Sequence, residues 1–293
     1  MFRYAFDFLI IAGMILVTIY QTISFMHPFL NIANNAARGA GRIILKGFDR
    51  LSYLTIEEKS PNNFVSEIDL ASEEYLIETI KSAYPDHGIL SEESGGDHHD
   101  SPYQWIIDPL DGTTNFVHGV PHFCISMAIC IEGKIEHGLV YDPIREEVFT
   151  ASRGRGAQLN NKRLRVSRQH QLERAIVNTG FIEHSEENLA LFSAVLPRCA
   201  DVRNLGSAAL DLAYVASGRI DAYWQSGLQS WDIAAGALLV KEAGGLASDF
   251  SGGERYLNTG NIIAGTPKVY KELAQTLGPK IPEQWKRSSN VTQ

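Results

Sequence analysis

At 293 residues with 44% hydrophobic content, the chain can bury one large or two moderate cores and reads as globular rather than disordered. Its net charge of −8 carries no basic excess, so the overall balance gives no basis for direct nucleic-acid binding through phosphate neutralisation, although a local basic patch stays open. Cys124, Cys130 and Cys199 are widely spaced without a CxxC pair, which argues against a zinc or redox motif and suits a reducing cytoplasm.

Phe8 to Met26 is a 19-residue run without a formal charge, close to the roughly 20 apolar residues that span a bilayer. It opens as FLIIAGMILVTIY but ends with Gln21, Thr22 and Ser24, has only Arg3 as a positive flank, and precedes no A-x-A cleavage site. Residues 1–25 are expected to be an upstream extension or a start-site artefact, in preference to an anchor that would hold the protein to a membrane through residues 8–26.

From Ile32 to Phe48, Ala33, Ala36, Ala37, Ala40, Ile43 and Ile44 recur with the spacing of one helical face. Lys59 to Asp69 carries Pro and Asn and then an extended FVS segment, which predicts a loop leading to a strand and a helix cap, with Asp69 at the helix N-terminus. That helix runs to about Ala83, burying Leu76, Ile77 and Ile80, and is stopped by Pro85 to Gly88. Ile89 to Ser91 then leads into Glu92. Trp105 to Ile107 reads as a short buried strand; Pro109 removes a ladder donor and is expected to turn the chain out of the sheet after Asp108, with Asp111 starting a helix. Cys124 to Glu132, His137 to Asp142 and Glu147 to Ala151 suggest an antiparallel sheet.

From Ala175 onward, strands at Ala175 to Thr179 and Asp221 to Gln225 alternate with helical patterns at Leu189 to Leu196, Ser207 to Ser217 and Ile233 to Ala243. The division expected is an α+β half over residues 26–170, an α/β half over 171–278 that completes the site, and a flexible tail over 279–293.

The stretch WIIDPLDGTTNF, Trp105 to Phe116, places two carboxylates, Asp108 and Asp111, beside a small residue and free backbone N–H groups able to hold an anion. Taken by itself it also reads as a strand-ending acid and a helix-capping acid. A second stretch, WDIAAGALLVKEAGG, Trp231 to Gly245, places Asp232 before a helical run; alone, Asp232 reads as a cap and Gly244 and Gly245 as a stop. Glu92 alone reads as part of a solvated acidic loop with Glu93, Asp97 and Asp100, and His98 and His99 in that loop as solvent-facing.

Together, in this order, the two stretches resemble the two signatures of the inositol monophosphatase family, and the resemblance extends from about Met26 to about Lys271, nearest the bacterial SuhB-type branch. It implies a layered α/β/α/β/α sandwich of mixed α/β class, as in fructose-1,6-bisphosphatase, and a homodimer. By position, Glu92 of EES, Asp108, the carbonyl of Leu110, Asp111 and Asp232 match the metal ligands. Thr113 matches the residue that orients the attacking water, and Asp69 the acid bonded to that threonine, so Asp69, Thr113 and Glu92 are the catalytic set implied. Gly112 and Thr113 match N–H donors to phosphate, and Gly206, Ser207 and Ala208 a segment lining the alcohol pocket; Asp111 and Asp232 border the substrate, and Lys59 matches a lysine of the N-terminal loop. Oxygen-only ligands favour Mg²⁺, two or three ions, over zinc.

One departure stands out. Gln225 occupies the place where inositol-hydrolysing members carry a glutamate that binds substrate hydroxyls; an amide still bonds a diol but brings no charge. Asn63 likewise stands where an Asp is common. The reading implied is Mg²⁺-dependent, lithium-sensitive hydrolysis of a small phosphorylated substrate, with inositol monophosphate first and fructose bisphosphate or 3′-phosphoadenosine phosphate as alternatives. A different class is regulatory: SuhB-type members are associated with the transcription machinery, so antitermination factors or RNA polymerase are possible partners, with Arg203 on the expected contact surface.

Overall fold

The computed structural model describes residues 26–54, 56–60, 63–97, 101–181 and 185–287; the apolar run over 8–25 and the pair His98 and His99 lie outside them. Among the described residues, no helix is long and apolar enough to cross a membrane.

Helix α1 (Pro28–Phe48) opens on a proline, tolerated because a first-turn N–H has no helical partner, and His27 caps it by accepting from the Phe29 N–H at 3.3 Å. A hairpin of β1 (Ile56–Ser60) and β2 (Asn63–Ser66) follows, where a loop and one strand were predicted. A two-stranded ribbon need not show the apolar alternation by which strands are recognised. Lys59 lies in β1 and Asn63 opens β2. Ser66 caps α2 (Glu67–Ala83) in a reciprocal box with Asp69.

Then come β3 (Gly88–Ser91), β4 (Gly95–Asp97), β5 (Tyr103–Asp111), the one-turn α3 (Thr113–Val117), β6 (Cys124–Ile131), β7 (Lys134–Asp142), β8 (Glu147–Ser152), β9 (Gly156–Leu159) and β10 (Lys162–Arg163). They form an eight-stranded sheet in the order β10-β9-β8-β7-β6-β5-β3-β4, antiparallel except where β3 runs parallel to β5. The remaining chain supplies β11 (Ile176–Thr179), α4 (Glu186–Val195), β12 (Asp201–Arg203), α5 (Ala208–Ala216), β13 (Ala222–Gln225), α6 (Ser230–Glu242), β14 (Leu246–Ser248), α7 (Tyr256–Thr259), β15 (Ile262–Gly265), α8 (Pro267–Leu277) and α9 (Glu283–Arg287). Its five strands pair as β12-β11-β13-β15-β14.

Three apolar clusters stack these elements into five layers. Leu30, Ala33, Ala37 and Ile44 of α1, with Leu76 and Ile80 of α2, cover one face of the large sheet at Trp105, Ile107, Met127 and Leu139. The other face, Ile106, Ala128, Val140 and Phe149, meets α5 and α6, which in turn rest on Tyr223, Ile262 and Ala264 of the small sheet. The far face of that sheet, Val177, Trp224 and Ile263, is covered by α4 and α8. This is the expected α/β/α/β/α sandwich. The flexible tail expected over 279–293 does not include 279–287: Ile281 is buried, the Trp285 ring lies 6.2 Å from that of Phe250, and Asn261 Nδ2 donates to the Trp285 carbonyl at 3.0 Å.

The middle helices lie close to the strands because small residues line the contact. A Cβ placed on Gly138 of β7 would stand 3.0 Å from Ala235 Cα and 3.1 Å from its carbonyl oxygen, so the backbone of α6 rests almost directly on β7. That contact sets the height of α6, which carries Asp232, over the sheet that carries Asp108. Neither backbone can retreat without disturbing its own ladder. Gly138→Ala is therefore expected to destabilise the protein by about 1–3 kcal/mol through overpacking, read as a lower midpoint in urea unfolding.

Candidate metal-dependent active site

In a regular strand, residues three apart face opposite sides, so the spacing of Asp108 and Asp111 needs an explanation. A one-residue bulge provides it. Asp108 pairs with Ser126 and Asp111 with Cys124, so three steps along β5 match two along β6. Up to Ile107 the alternation is regular; beyond the bulge, Leu110 joins the face of Trp105 and Ile107, and Asp111 returns to the face of Asp108. Pro109 thus stays inside β5, against the prediction that it leaves the sheet, because a bulge frees the ladder position that its missing N–H would leave empty. Asp111 ends the strand rather than starting a helix; Gly112, at φ 98°, is the N-cap of α3. The Ser72 hydroxyl donates to the Pro109 carbonyl at 2.9 Å and ties the bulge to α2.

Asp232 enters from the opposite side. It is the third residue of α6, accepting from the Gln229 N–H at 2.7 Å, and its neighbour Trp231 is anchored by the Ser126 hydroxyl at 3.0 Å. One oxygen each of Asp108, Asp111 and Asp232 lies within 4.8 Å of the others. Glu92, on the turn after β3, stands close enough to Asp108 for its charge to act there. Burial first, then the charges of Glu92, Asp111 and Asp232, hold the Asp108 carboxyl well above the ordinary carboxylate range. Burial and the Asp111 charge do the same to Asp232. Asp111 is raised by burial as well, against the opposing effect of donors from Ser207, Ala209 and Ala208. Oxygen donors gathered this closely, at a cost in repulsion, suit a hard divalent cation.

Beside the acids, the Thr113 hydroxyl has a single proton and two acceptors, Asp69 Oδ1 at 3.0 Å and the Leu110 carbonyl at 2.9 Å. Asp69 is 1% exposed, and its second oxygen accepts from the Ser66 N–H at 2.9 Å and hydroxyl at 2.5 Å. Burial raises its pKa while the Ser66 and Thr113 bonds work against the rise. The predicted helix-terminal acid is thus a capping residue and a partner of Thr113 at once.

The second half of the chain closes the site through Asp111. Its Oδ2 accepts from the Ser207 hydroxyl at 2.6 Å and the Ala209 N–H at 2.8 Å, capping α5 from another element. Gly206, at φ 82°, brings its carbonyl close enough that a Cβ on Gly112 would stand 3.2 Å from it. Asn115 bridges the two segments, donating to the carbonyls of His122 and Leu205, each at 2.7 Å. Gln225 is buried, and its Oε1 accepts from the hydroxyl of Tyr223, a ring whose surroundings include the charges of Asp211, Asp111 and Asp232.

The structure therefore brings Asp108, Asp111, Asp232, Glu92, Leu110, Thr113 and Asp69 together, with Gly112 against Gly206 and Ser207 bonded to Asp111. Sequence reading missed Ser72, Glu73, Asn115 and Tyr223. A signal existed for the first two: Asp69, Ser72 and Glu73 share the buried face of α2 with Leu76, and polar groups on a core-facing stripe have partners to satisfy.

Residues 26–283 match the inositol monophosphatase family. Over 271 residues the chain is 49% identical to the Nus factor SuhB of Pseudomonas aeruginosa, spanning 89% of this chain and 100% of that protein. It superposes on the extragenic suppressor protein SuhB of Bartonella henselae with a TM-score of 0.84 at 40% identity, covering 87% of this chain and 100% of the other. SaIMPase-II with inositol monophosphate bound aligns with a TM-score of 0.73 at 29% identity, over 86% of this chain and 95% of that one, and the same protein has been solved with 2'AMP.

A carboxyl whose pKa is raised by folding costs stability once ionised, and that cost grows as pH rises from the unfolded value through the raised one. Asp108→Asn should accordingly raise the melting temperature of chelator-treated protein at pH 7, by about 2–4 °C per kcal/mol of repulsion relieved, with the gain shrinking toward about pH 4. In excess Mg²⁺ the order should reverse, because wild type gains a ligand-bound state that the variant binds poorly. Differential scanning calorimetry with and without Mg²⁺ reads both.

Proposed function

The chain belongs to the inositol monophosphatase family, and on that premise we propose that it hydrolyses small phosphate monoesters, inositol monophosphate among them, using divalent cations. The observation that carries this reading is the meeting of Asp108, Asp111 and Asp232 beside a threonine hydroxyl bonded to a buried aspartate. Carboxylate and carbonyl oxygens favour Mg²⁺, and Glu92, Asp108, the Leu110 carbonyl, Asp111 and Asp232 would hold two or three ions. Bound there, the ions supply charge neutralisation for the phosphate, an acidified water and stabilisation of the leaving oxygen.

The chain's own groups do the rest. Thr113 gives its proton to Asp69 or to the Leu110 carbonyl, leaving hydroxyl lone pairs to accept from the attacking water and aim it. Asp69 keeps that acceptor role because three donors pin both its oxygens. The N–H groups of Gly112 and Thr113, at the start of α3, would donate to the phosphate. On the alcohol side, the resemblance assigns Gly206, Ser207 and Ala208 to the substrate pocket, and their segment is held beside Asp111 by the Ser207 and Ala209 hydrogen bonds. With Tyr223 donating to Oε1, the Gln225 amide brings no charge to the place where the resemblance expects a carboxylate, which widens the range beyond inositol. Relatives' titles support breadth, since SaIMPase-II is solved with both inositol monophosphate and 2'AMP.

A second role, binding to the transcription machinery, is supported by the name of a relative 49% identical along its full length, a Nus factor; a cytoplasmic homodimer is proposed with it on the family resemblance alone. Arg203, paired with Asp201 on the edge strand β12, belongs to the surface considered for it.

Phosphate release should be measured from inositol, sugar and nucleotide phosphates, with and without Mg²⁺ and Li⁺. Wild type is expected to release phosphate only with Mg²⁺ and to be slowed by Li⁺, and Asp232→Asn to lose orders of magnitude in rate while still binding transcription factors. Wild-type turnover by Asp232→Asn would sink the catalytic assignment.

A further inference from the structure

The acids of the site are not equally supported. Asp108 and Asp111 stand on a strand and Asp232 in the first turn of a helix, whereas Glu92 stands on the turn between β3 and β4. Its charge opposes that of Asp108. Of these carboxylates, the one on the turn has the least regular backbone bonding to resist displacement, so repulsion is relieved most cheaply by moving Glu92.

What opposes this is a carboxylate from another element. Glu73 of α2 is 4% exposed; its Oε2 accepts from the Ser91 hydroxyl and from the Glu93 N–H at 3.0 Å, and its Oε1 from the Ser94 N–H at 2.9 Å. These donors lie on both sides of Glu92 along the chain. One side chain thus ties the turn before and after the residue that must stay in place. An ionised carboxylate is acceptor-only, which matches three donors; an amide of the same size would turn N–H groups toward N–H groups.

Helix geometry adds a second constraint. Asp69 and Glu73 are four residues apart on one buried face of α2, with Ser72 between them holding the Pro109 carbonyl. The same rigid turn of helix reaches Thr113, the bulge of β5 and the Glu92 turn.

We propose that Glu73 is a positioning residue for the phosphatase site: it locks the Ser91–Ser94 turn so that Glu92 is held against Asp108, and α2 thereby sets the spacing between Glu92 and the Asp69–Thr113 pair. This rests on the reading of Glu92 as a metal ligand given above. Neither Glu73 nor Ser91 touches the substrate; both act through the backbone that presents Glu92.

The test uses the full chain and Mn²⁺ as the probe, titrated by calorimetry, beside the Mg²⁺ dependence of phosphate release and a melting curve. Glu73→Gln should weaken Mn²⁺ binding about 10–100-fold, as loss of outer-shell support does, and raise the Mg²⁺ needed for half-maximal rate in parallel, with kcat at saturating Mg²⁺ within a few-fold of wild type. Ser91→Ala removes one of the three donors and should shift both readings the same way by less; it stands in if Glu73→Gln does not fold. Glu92→Gln, run alongside, separates the two levels of the argument. Wild-type Mn²⁺ affinity in Glu73→Gln, or in Ser91→Ala standing in for it, with a loss in Glu92→Gln, overturns the clamp and leaves the site; a lower melting temperature alone does not rescue it. Wild-type affinity in Glu92→Gln as well overturns the metal assignment and the clamp with it.

Discussion

Like charges held close together in a mostly buried place are the constraint on which this structure turns. Asp108, Asp111 and Asp232 present oxygens within 4.8 Å of one another, with Glu92 beside them, and burial and repulsion push the Asp108 and Asp232 carboxyls far up. Such a cluster disperses unless each member is tied by groups that do not titrate. The ties are visible: the Leu110 N–H on Asp108 at 3.0 Å, Ser207 and Ala209 on Asp111, and the Gln229 N–H on Asp232. Apart from the Ser207 hydroxyl, these ties are N–H groups of a local turn or a helix N-terminus, where the backbone has donors to spare.

The layering follows from the same requirement. Acids from β5 and α6 can meet only if the helix carrying one is laid closely on the sheet carrying the other. The small residues do this: Gly138 admits Ala235, and Gly236 sits so near Leu212 of α5 that a Cβ there would stand 2.6 Å from its Cβ. The alanine-rich middle layer packs backbone against backbone, with both sheets as walls. What the α6 run WDIAAGALLVKE lacks in bulk, it returns as precision in the placing of Asp232.

A smaller detail concerns the amide of Gln225. Gln225 sits at the end of β13, and Tyr223, two residues earlier on the same face, spends its hydroxyl on the amide oxygen. A neutral, oriented amide therefore stands where the resemblance leads one to expect a charge. Gln225 lies on the small sheet, whereas Asp108 and Asp111 lie on the large one, so the two positions are held by different strand ladders.

Much of this was legible in the linear chain. The helical stripe of α1, the strands β6 to β8 and the order of the two acidic stretches follow from local periodicity and from side-chain chemistry, and these depend on near neighbours. Which acids to look for came from the resemblance of the two stretches to a family's signatures, and the structure brings oxygens of Asp108, Asp111 and Asp232 within 4.8 Å of one another. Local pattern could not reveal that Pro109 stays within a strand. A bulge exists only as a mismatch of register between two strands, three steps on β5 against two on β6, and β6 begins well after the residue it shifts. Nor could it reveal that Asp111 caps α5 from across the molecule or that Glu73 secures the Glu92 turn, since partners some twenty to a hundred residues away become neighbours only when the layers stack. The sequence by itself thus determined which acids and hydroxyls the chain carries, and in what order. Tertiary structure decided where they stand, because the hydrogen bonds that fix a charged side chain are settled by packing rather than by its place along the chain.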